Sequence, residues 1–89
     1  MDAADRRKKL MFRATHRGTR ENDILIGQFA AAQVGGLDAA GLDRFEAFLS
    51  EADQDLLDWH QRRRPLPDDL VDDPLLAAFL AFKVDPSAI

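Results

Sequence analysis

A single glycine, Gly18, divides the first third of this chain into two stretches with helical periodicity. In residues 3–16 and in residues 20–34, apolar side chains recur at intervals of three and four, the spacing that places them on one face of a helix. Glycine weakens a helix interior by about 1 kcal/mol but adopts positive φ without a Cβ clash. We therefore expect one helix to end at Gly18 and a second to begin directly after it. Gly27, inside the second stretch, is consistent with a close approach of another backbone.

Three further helices are predicted from capping residues and apolar spacing. Asp38 is placed to cap a third helix, Asp53 a short fourth helix and Asp73 a last helix. The predicted helices span residues 39–52, 54–61 and 74–83. No alternating strand pattern competes with them. The sequence therefore predicts an all-α fold, a compact bundle of about five short helices in one domain, residues 1–89, with an ordered core at about residues 6–83.

Length and composition limit the chemistry that this chain can perform. With 89 residues it forms one small domain, and a domain of that size buries only about 60 to 65% of its unfolded surface, which leaves no room for a large internal active-site cavity. It has no cysteine, which excludes a disulfide framework, a thiolate zinc site and a cysteine nucleophile. No apolar run approaches the roughly 18 residues that span a membrane. We expect a cytoplasmic protein with no integral membrane segment.

Charge is distributed unevenly along the chain. Residues 1–20 hold seven basic and two acidic side chains, a net charge of +5, whereas residues 21–89 hold five basic and fourteen acidic ones, a net charge of −9. A basic first helix attracts anionic surfaces, but the acidic remainder repels nucleic acid and anionic lipid, so a protein partner is favoured. The second candidate is a small nucleic-acid-binding helical domain. Its contacts would come from Arg6, Arg7, Lys8, Lys9 and Arg13.

The residue types that usually carry catalysis or bind metals are not arranged for either. His16 and His60 are far apart in the sequence and have no carboxylate at metal-binding spacing. Asp53 and Asp55 begin like a calcium loop, but the glycine and the last glutamate of such a loop are replaced. The two serines lack a partnered base. We therefore predict no catalytic residue, no metal site and no enzyme activity, with Trp59 in the core.

The residues around Gly18 carry charges of both signs. Arg17 belongs to the last turn of the first helix, where carbonyl oxygens favour a cation, and Glu21 to the first turn of the second, where the helix dipole favours an anion. Two interpretations fit residues 17–21, here called the corner, equally well. In one, the corner is a helix junction in which Arg17 or Arg20 neutralises Glu21. In the other, it is an exposed surface that docks onto another protein.

Two motifs in this chain resemble those of a known family. Residues 17–26 read Arg-Gly-Thr-Arg-Glu-Asn-Asp followed by Ile-Leu-Ile, and residues 53–59 read Asp-Gln-Asp-Leu-Leu-Asp-Trp. Both are similar to signature elements of the succinate dehydrogenase flavinylation factors, the SdhE-type assembly proteins of bacteria and mitochondria. The resemblance extends from residue 6 to about residue 82, and it implies the same five-helix architecture.

The resemblance implies a non-catalytic assembly factor. Such a factor binds the flavoprotein subunit of succinate dehydrogenase, and in some bacteria that of fumarate reductase, and promotes covalent attachment of FAD to a histidine of that subunit. The reacting histidine and the flavin then belong to the partner. Because the aromatic residues of this chain lie mostly at core spacing, we expect no tightly bound FAD. We also expect a monomer when the protein is free.

The resemblance also indicates which residues contact the partner. The residues that match the Arg-Gly-x-x-Glu surface of the family are Arg17, Gly18 and Glu21, with His16, Arg20 and Asp23 as neighbours. Arg17 and Glu21 are expected to supply charge-assisted hydrogen bonds to the partner. This sequence departs from the family at Asn22, where relatives often carry an apolar residue. We expect an asparagine at this position to loosen the packing beneath the corner and to alter the details of the docking geometry.

Overall fold

The computed structural model describes residues 2–88 and contains five α-helices in that range. They are α1 (Ala3–Thr15), α2 (Arg20–Gln33), α3 (Ala39–Leu49), α4 (Asp53–His60) and α5 (Pro74–Ala81). Short 3-10 turns occur at Val34–Gly36 and Pro86–Ala88. No strand occurs in the described part of the chain. The predicted all-α bundle of about five short helices is confirmed, and within residues 2–88 no helix has the length and apolar character to cross a membrane.

Aspartate side chains begin three of the helices by accepting backbone hydrogen bonds that would otherwise be unsatisfied. Asp38 caps α3 by accepting from the amide of Gly41 at 2.8 Å. Asp73 caps α5 by accepting from the amide of Leu75 at 2.9 Å, with proline at the start of the helix. Both caps were predicted from the sequence. Asp2 does the same for α1.

The predicted capping role of Asp53 is wrong. Asp53 is the first residue of α4, and the cap position is held by Ala52, whose side chain makes no capping hydrogen bond. The physical reason is a competing partner, since the Asp53 carboxylate accepts from the guanidinium of Arg17 instead. The acidic group still lies in the first turn of α4, where the helix dipole favours an anion.

The third and fifth helices end two or more residues earlier than predicted. α3 ends at Leu49, where the apolar spacing had suggested residue 52, and α5 ends at Ala81, two residues before the predicted end. After α5 the chain is extended at Phe82, whose carbonyl oxygen accepts a hydrogen bond from His60 Nε2 at 2.8 Å. This contact attaches the segment that follows α5 to the end of α4.

The core is built around the ring of Phe29 in α2. Four other phenylalanine rings lie with their centroids 5.2–6.0 Å from it, distances at which tilted and edge-on aromatic pairs are favourable. These rings belong to Phe45, Phe48, Phe79 and Phe82. Trp59 of α4 is buried against the same core, as predicted. The core thereby joins α2, α3, α4 and α5 beneath the corner.

α1 packs on α2 at Gly27 and is bonded through Arg7 to the turn that follows α2. A Cβ at Gly27 would lie 3.0 Å from the methyl group of Thr15 and 3.9 Å from the carbonyl oxygen of Ala14. The close neighbour is thus a side-chain methyl, and not the backbone that the sequence analysis expected. Near the other end of α1, Arg7 donates to the carbonyl oxygens of Val34 at 3.2 Å and Leu37 at 2.8 Å. These contacts fix the direction in which α1 reaches the corner.

Candidate functional site

The backbone of the corner depends on Gly18. Its φ is +107°, a conformation that other residues rarely adopt, so the predicted turn at Gly18 is confirmed. The prediction that Arg17 lies in the last turn of the first helix is wrong, because α1 already ends at Thr15. A Cβ built on Gly18 would meet no atom of residues 2–88 within 4 Å, so the requirement for glycine comes from the backbone angle alone. Thr19 then caps α2, since its hydroxyl accepts from the amide of Asn22 at 3.4 Å. The sequence contained this signal, a threonine directly before the first helical residue.

Asp23 holds the corner from within. Its carboxylate accepts a hydrogen bond of 2.5 Å from the backbone amide of Arg17, six residues earlier. A charged acceptor makes such a bond stronger than a neutral pair. The last residue before Gly18 is thereby tied to the first turn of α2, and the bend is closed.

The side chain of Arg17 points into the molecule and joins the corner to the connection between α3 and α4. Nε donates to Asp53 Oδ1 at 2.6 Å, and the two terminal nitrogens donate to the carbonyl oxygens of Leu49 at 2.5 Å and Glu51 at 2.8 Å. Only 9% of this side chain is exposed. The planar guanidinium thus satisfies three acceptors that come from a segment more than thirty residues away.

Asn22 makes a second link between the corner and α4. It is 2% exposed, and its Nδ2 donates to the carbonyl oxygen of Asp53 at 3.1 Å. Its Oδ1 is buried and has no hydrogen-bond partner in the part of the chain that the structure describes. An unsatisfied buried acceptor costs about 1–3 kcal/mol. The polar residue at this position therefore holds α4 in place at a local cost that an apolar side chain would not have.

The outer edge of the corner faces solvent. His16, Gly18, Arg20 and Glu21 are all exposed. Within residues 2–88 neither Arg20 nor Glu21 takes part in an ion pair. The interpretation that Arg17 or Arg20 neutralises Glu21 is therefore wrong, because Arg17 pairs with Asp53 and Arg20 forms no ion pair with Glu21. The corner has an internally bonded side and an open polar side.

An aromatic side chain that the sequence analysis did not single out lies beside the corner. Phe12 of α1 is 62% exposed, and its ring stacks on that of His16 with centroids 3.9 Å apart. Both residues line an open cleft of about 400 Å³ whose other wall contains Glu51 and Asp53. The helical periodicity of α1 does not reveal this position, because it shows which residues face the core and not which exposed ones share a surface.

The structure reduces the basic surface on which nucleic-acid binding would depend. Arg6 pairs with Asp43 at 2.5 Å, and Arg7 is bonded to two backbone carbonyls. Of the five basic residues considered for that function, these two are therefore held by the protein itself. Lys8 and Lys9 remain exposed on α1.

Fold and site together define a small all-helical protein with an exposed polar corner held rigid from inside. Residues 2–88 contain no cluster of three or more side chains able to hold a metal ion. The family described as "Flavinator of succinate dehydrogenase" matches residues 8–83. The chain belongs to this family.

Individual relatives agree with the family match. Over 66 residues the chain is 47% identical to the FAD assembly factor SdhE of Acetobacter pasteurianus, an alignment that covers 74% of this chain and 61% of the relative. It is 37% identical over 59 residues to the mitochondrial succinate dehydrogenase assembly factor 2 of Mycosarcoma maydis, covering 66% of this chain and 25% of that one. The corresponding Dictyostelium discoideum protein is 30% identical over 80 residues, covering 90% and 57%. The chain thus spans less than two thirds of each of these relatives.

Proposed function

We propose that this protein is a non-catalytic assembly factor that binds the flavoprotein subunit of succinate dehydrogenase and promotes covalent attachment of FAD to it. The observation that carries the proposal is the open side of the corner, where Gly18, Arg20 and Glu21 are exposed on a backbone fixed by internal bonds. The family description and the names of the relatives support the same function. The flavoprotein subunit of fumarate reductase is a second partner under this proposal.

Rigidity is what suits the corner to this function. A binding surface that is already ordered loses little conformational entropy on association, so more of the interaction free energy remains for affinity. In our proposal Glu21 supplies the charge-assisted hydrogen bond to the partner. Arg17 acts differently from the sequence-based expectation, as the residue that positions the corner, since its three nitrogens already donate internally.

The factor promotes the reaction by shifting the conformational equilibrium of its partner. A ligand that binds one conformation better than another raises the population of the first. The histidine that is modified and the flavin belong to the flavoprotein, and this chain binds no FAD tightly. We place the protein in the bacterial cytoplasm and as a monomer when free. The higher identity to the bacterial relative than to the mitochondrial ones supports that location.

The proposal is tested by mixing the protein with the apo flavoprotein subunit and FAD and measuring covalently held flavin by in-gel fluorescence. Wild-type protein is expected to raise flavin attachment, and Glu21→Ala to abolish the increase while the helical content stays unchanged. Asp69→Ala is the matched control, because it removes an exposed carboxylate in the connection between α4 and α5. Equal attachment with the wild type and with Glu21→Ala would contradict the assignment.

A further inference from the structure

Phe12 is an exposed aromatic side chain that is nevertheless held in one place. Within residues 2–88 the large apolar side chains that are exposed are Phe12 and Val71. The Phe12 ring lies nearly parallel to that of His16, at an angle of 15°, and His16 Nδ1 donates to the carbonyl oxygen of Phe12 at 2.7 Å. The ring is thus fixed from one side while its other side faces solvent. A side chain that is ordered before binding loses less rotamer freedom in a complex.

Basic residues of α1 flank the ring of Phe12. Lys9 and Lys8 precede Phe12 by three and four residues, the spacing that places helical side chains next to one another. Neither lysine has a carboxylate within ion-pair distance among residues 2–88. Arg13 is exposed too, and its side chain makes only a 3.5 Å contact with the hydroxyl of Ser50. The result is an exposed aromatic side chain with basic neighbours on its own helix, across a cleft from Glu51 and Asp53.

We propose that Lys8, Lys9, Phe12, Arg13 and His16, here called the Phe12 patch, form a second contact surface for the flavoprotein subunit. The proposal rests on the proposed function. The positive charge of the Phe12 patch indicates that the partner contributes an apolar side chain flanked by carboxylates. Buried aromatic anchors within a polar rim carry much of the binding free energy in protein interfaces.

The position of the patch favours this partner over other anionic surfaces. His16 belongs to the patch and directly precedes the corner, and the cleft beside Phe12 is lined by Arg17 as well, so one protein surface can cover both. The opposite wall of that cleft contains Glu51 and Asp53. Asp53 is paired with Arg17, and it is the continuity of the patch with the corner that favours the flavoprotein subunit over nucleic acid or an anionic membrane.

The test is the affinity of Phe12→Ala for the apo flavoprotein subunit, measured by isothermal titration calorimetry. We expect the Kd to rise about tenfold or more, as for an aromatic anchor. Phe12→Leu should bind within about threefold of the wild type, because it keeps an apolar side chain on the patch. Val71→Ala, which removes the other large exposed apolar side chain, is the control and should leave the Kd unchanged. Thermal unfolding followed by circular dichroism should be the same for all four proteins.

The outcomes separate this proposal from the function on which it rests. If Glu21→Ala fails to support flavin attachment while Phe12→Ala binds as tightly as the wild type, the patch is not a contact surface and the proposed function stands. If the wild type does not bind the subunit at all, both are overturned. Duplex DNA and phosphatidylserine vesicles are the alternative binding partners to test. If Phe12→Ala abolishes binding to either of them and leaves the affinity for the flavoprotein unchanged, the patch belongs to another partner and the proposal is overturned.

Discussion

Gly18 shapes the backbone of the corner, and Arg17 fastens it to the rest of the molecule. Gly18 has φ +107° with open space around its α-carbon, and Arg17 is bonded to Asp53 and to two carbonyl oxygens. Arg20 and Glu21, by contrast, face solvent. Substitutions at Arg17 and Gly18 should therefore lower the stability of the protein, whereas a substitution at Glu21 should weaken partner binding.

Replacing Gly18 with alanine should lower the free energy of unfolding by about 1–2 kcal/mol, because an L-residue is strained at this φ. Urea denaturation measures the change. Gly35→Ala is the matched control, since Gly35 has no atom within 4 Å of an added Cβ and no positive φ. At a compatible position of that kind alanine is neutral or stabilises by up to about 1 kcal/mol. Equal losses in the two variants would show that the backbone angle is not what requires glycine.

Arg17→Ala should lower the free energy of unfolding by about 2–4 kcal/mol, because it leaves the Asp53 carboxylate and two carbonyl oxygens without their donor. Arg17→Lys should restore only part of the loss, since an ammonium group cannot reach three acceptors in the geometry of a planar guanidinium. Arg20→Ala removes the same type of side chain from an exposed position and should change stability by no more than about 0.5 kcal/mol. If chemical denaturation finds Arg17→Ala as stable as Arg20→Ala, Arg17 does not position the corner.

The end of α4 is closed by local contacts. The chain leaves the helix through Arg62, whose φ is +60°, with amide hydrogen bonds from Arg62 to Trp59 at 3.1 Å and from Arg63 to Asp58 at 2.8 Å. This is the pattern of a helix end in which glycine is the usual residue. The side chain of Arg64 then folds back onto the carboxylates of Asp55 and Asp58.

These contacts lower the pKa of Asp58 below that of an ordinary aspartate. The main cause is the hydrogen bond from Gln54 at 2.9 Å, and Arg64 and Arg63 add to it. Because the folded pKa lies below the unfolded one, this stabilisation is present above the unfolded pKa and is lost as the pH falls through the folded pKa. Gln54→Ala should raise the pKa of Asp58 toward its ordinary value in a carboxyl-detected NMR titration. Gln61→Ala, at an exposed position, should not, and an unchanged Asp58 titration in Gln54→Ala would contradict the assignment.

The features of the helices that the sequence predicts well depend on neighbours only a few residues away. The caps at Asp38 and Asp73 and the turn at Gly18 depend on neighbours at most three positions away, and all three are confirmed. The role of Asp53 was predicted wrongly because its partner, Arg17, is 36 positions away in the sequence. The exposure of Phe12 likewise depends on how α1 packs against other helices, which periodicity does not specify.

Across the whole molecule, basic and acidic residues are unevenly distributed along the chain, and some of them pair within the fold. The basic first segment carries a net charge of +5 and the remainder −9. The structure brings some of these charges together, as in the pairs Arg6–Asp43 and Arg17–Asp53. Lys8, Lys9 and Arg20 stay outside the ion pairs among residues 2–88. In the proposed complex these cations suit a partner surface with complementary acidic groups.

The most direct test of the docking corner is amide hydrogen exchange with and without the apo flavoprotein subunit. The amides of Arg20 and Glu21 lie in the first turn of α2, where helix geometry provides no internal acceptor, so they should exchange rapidly in the free protein. Docking should bury them and slow their exchange by about tenfold or more, with little change in the connection between α4 and α5. A complex that forms while these two amides still exchange at the free rate would contradict the account.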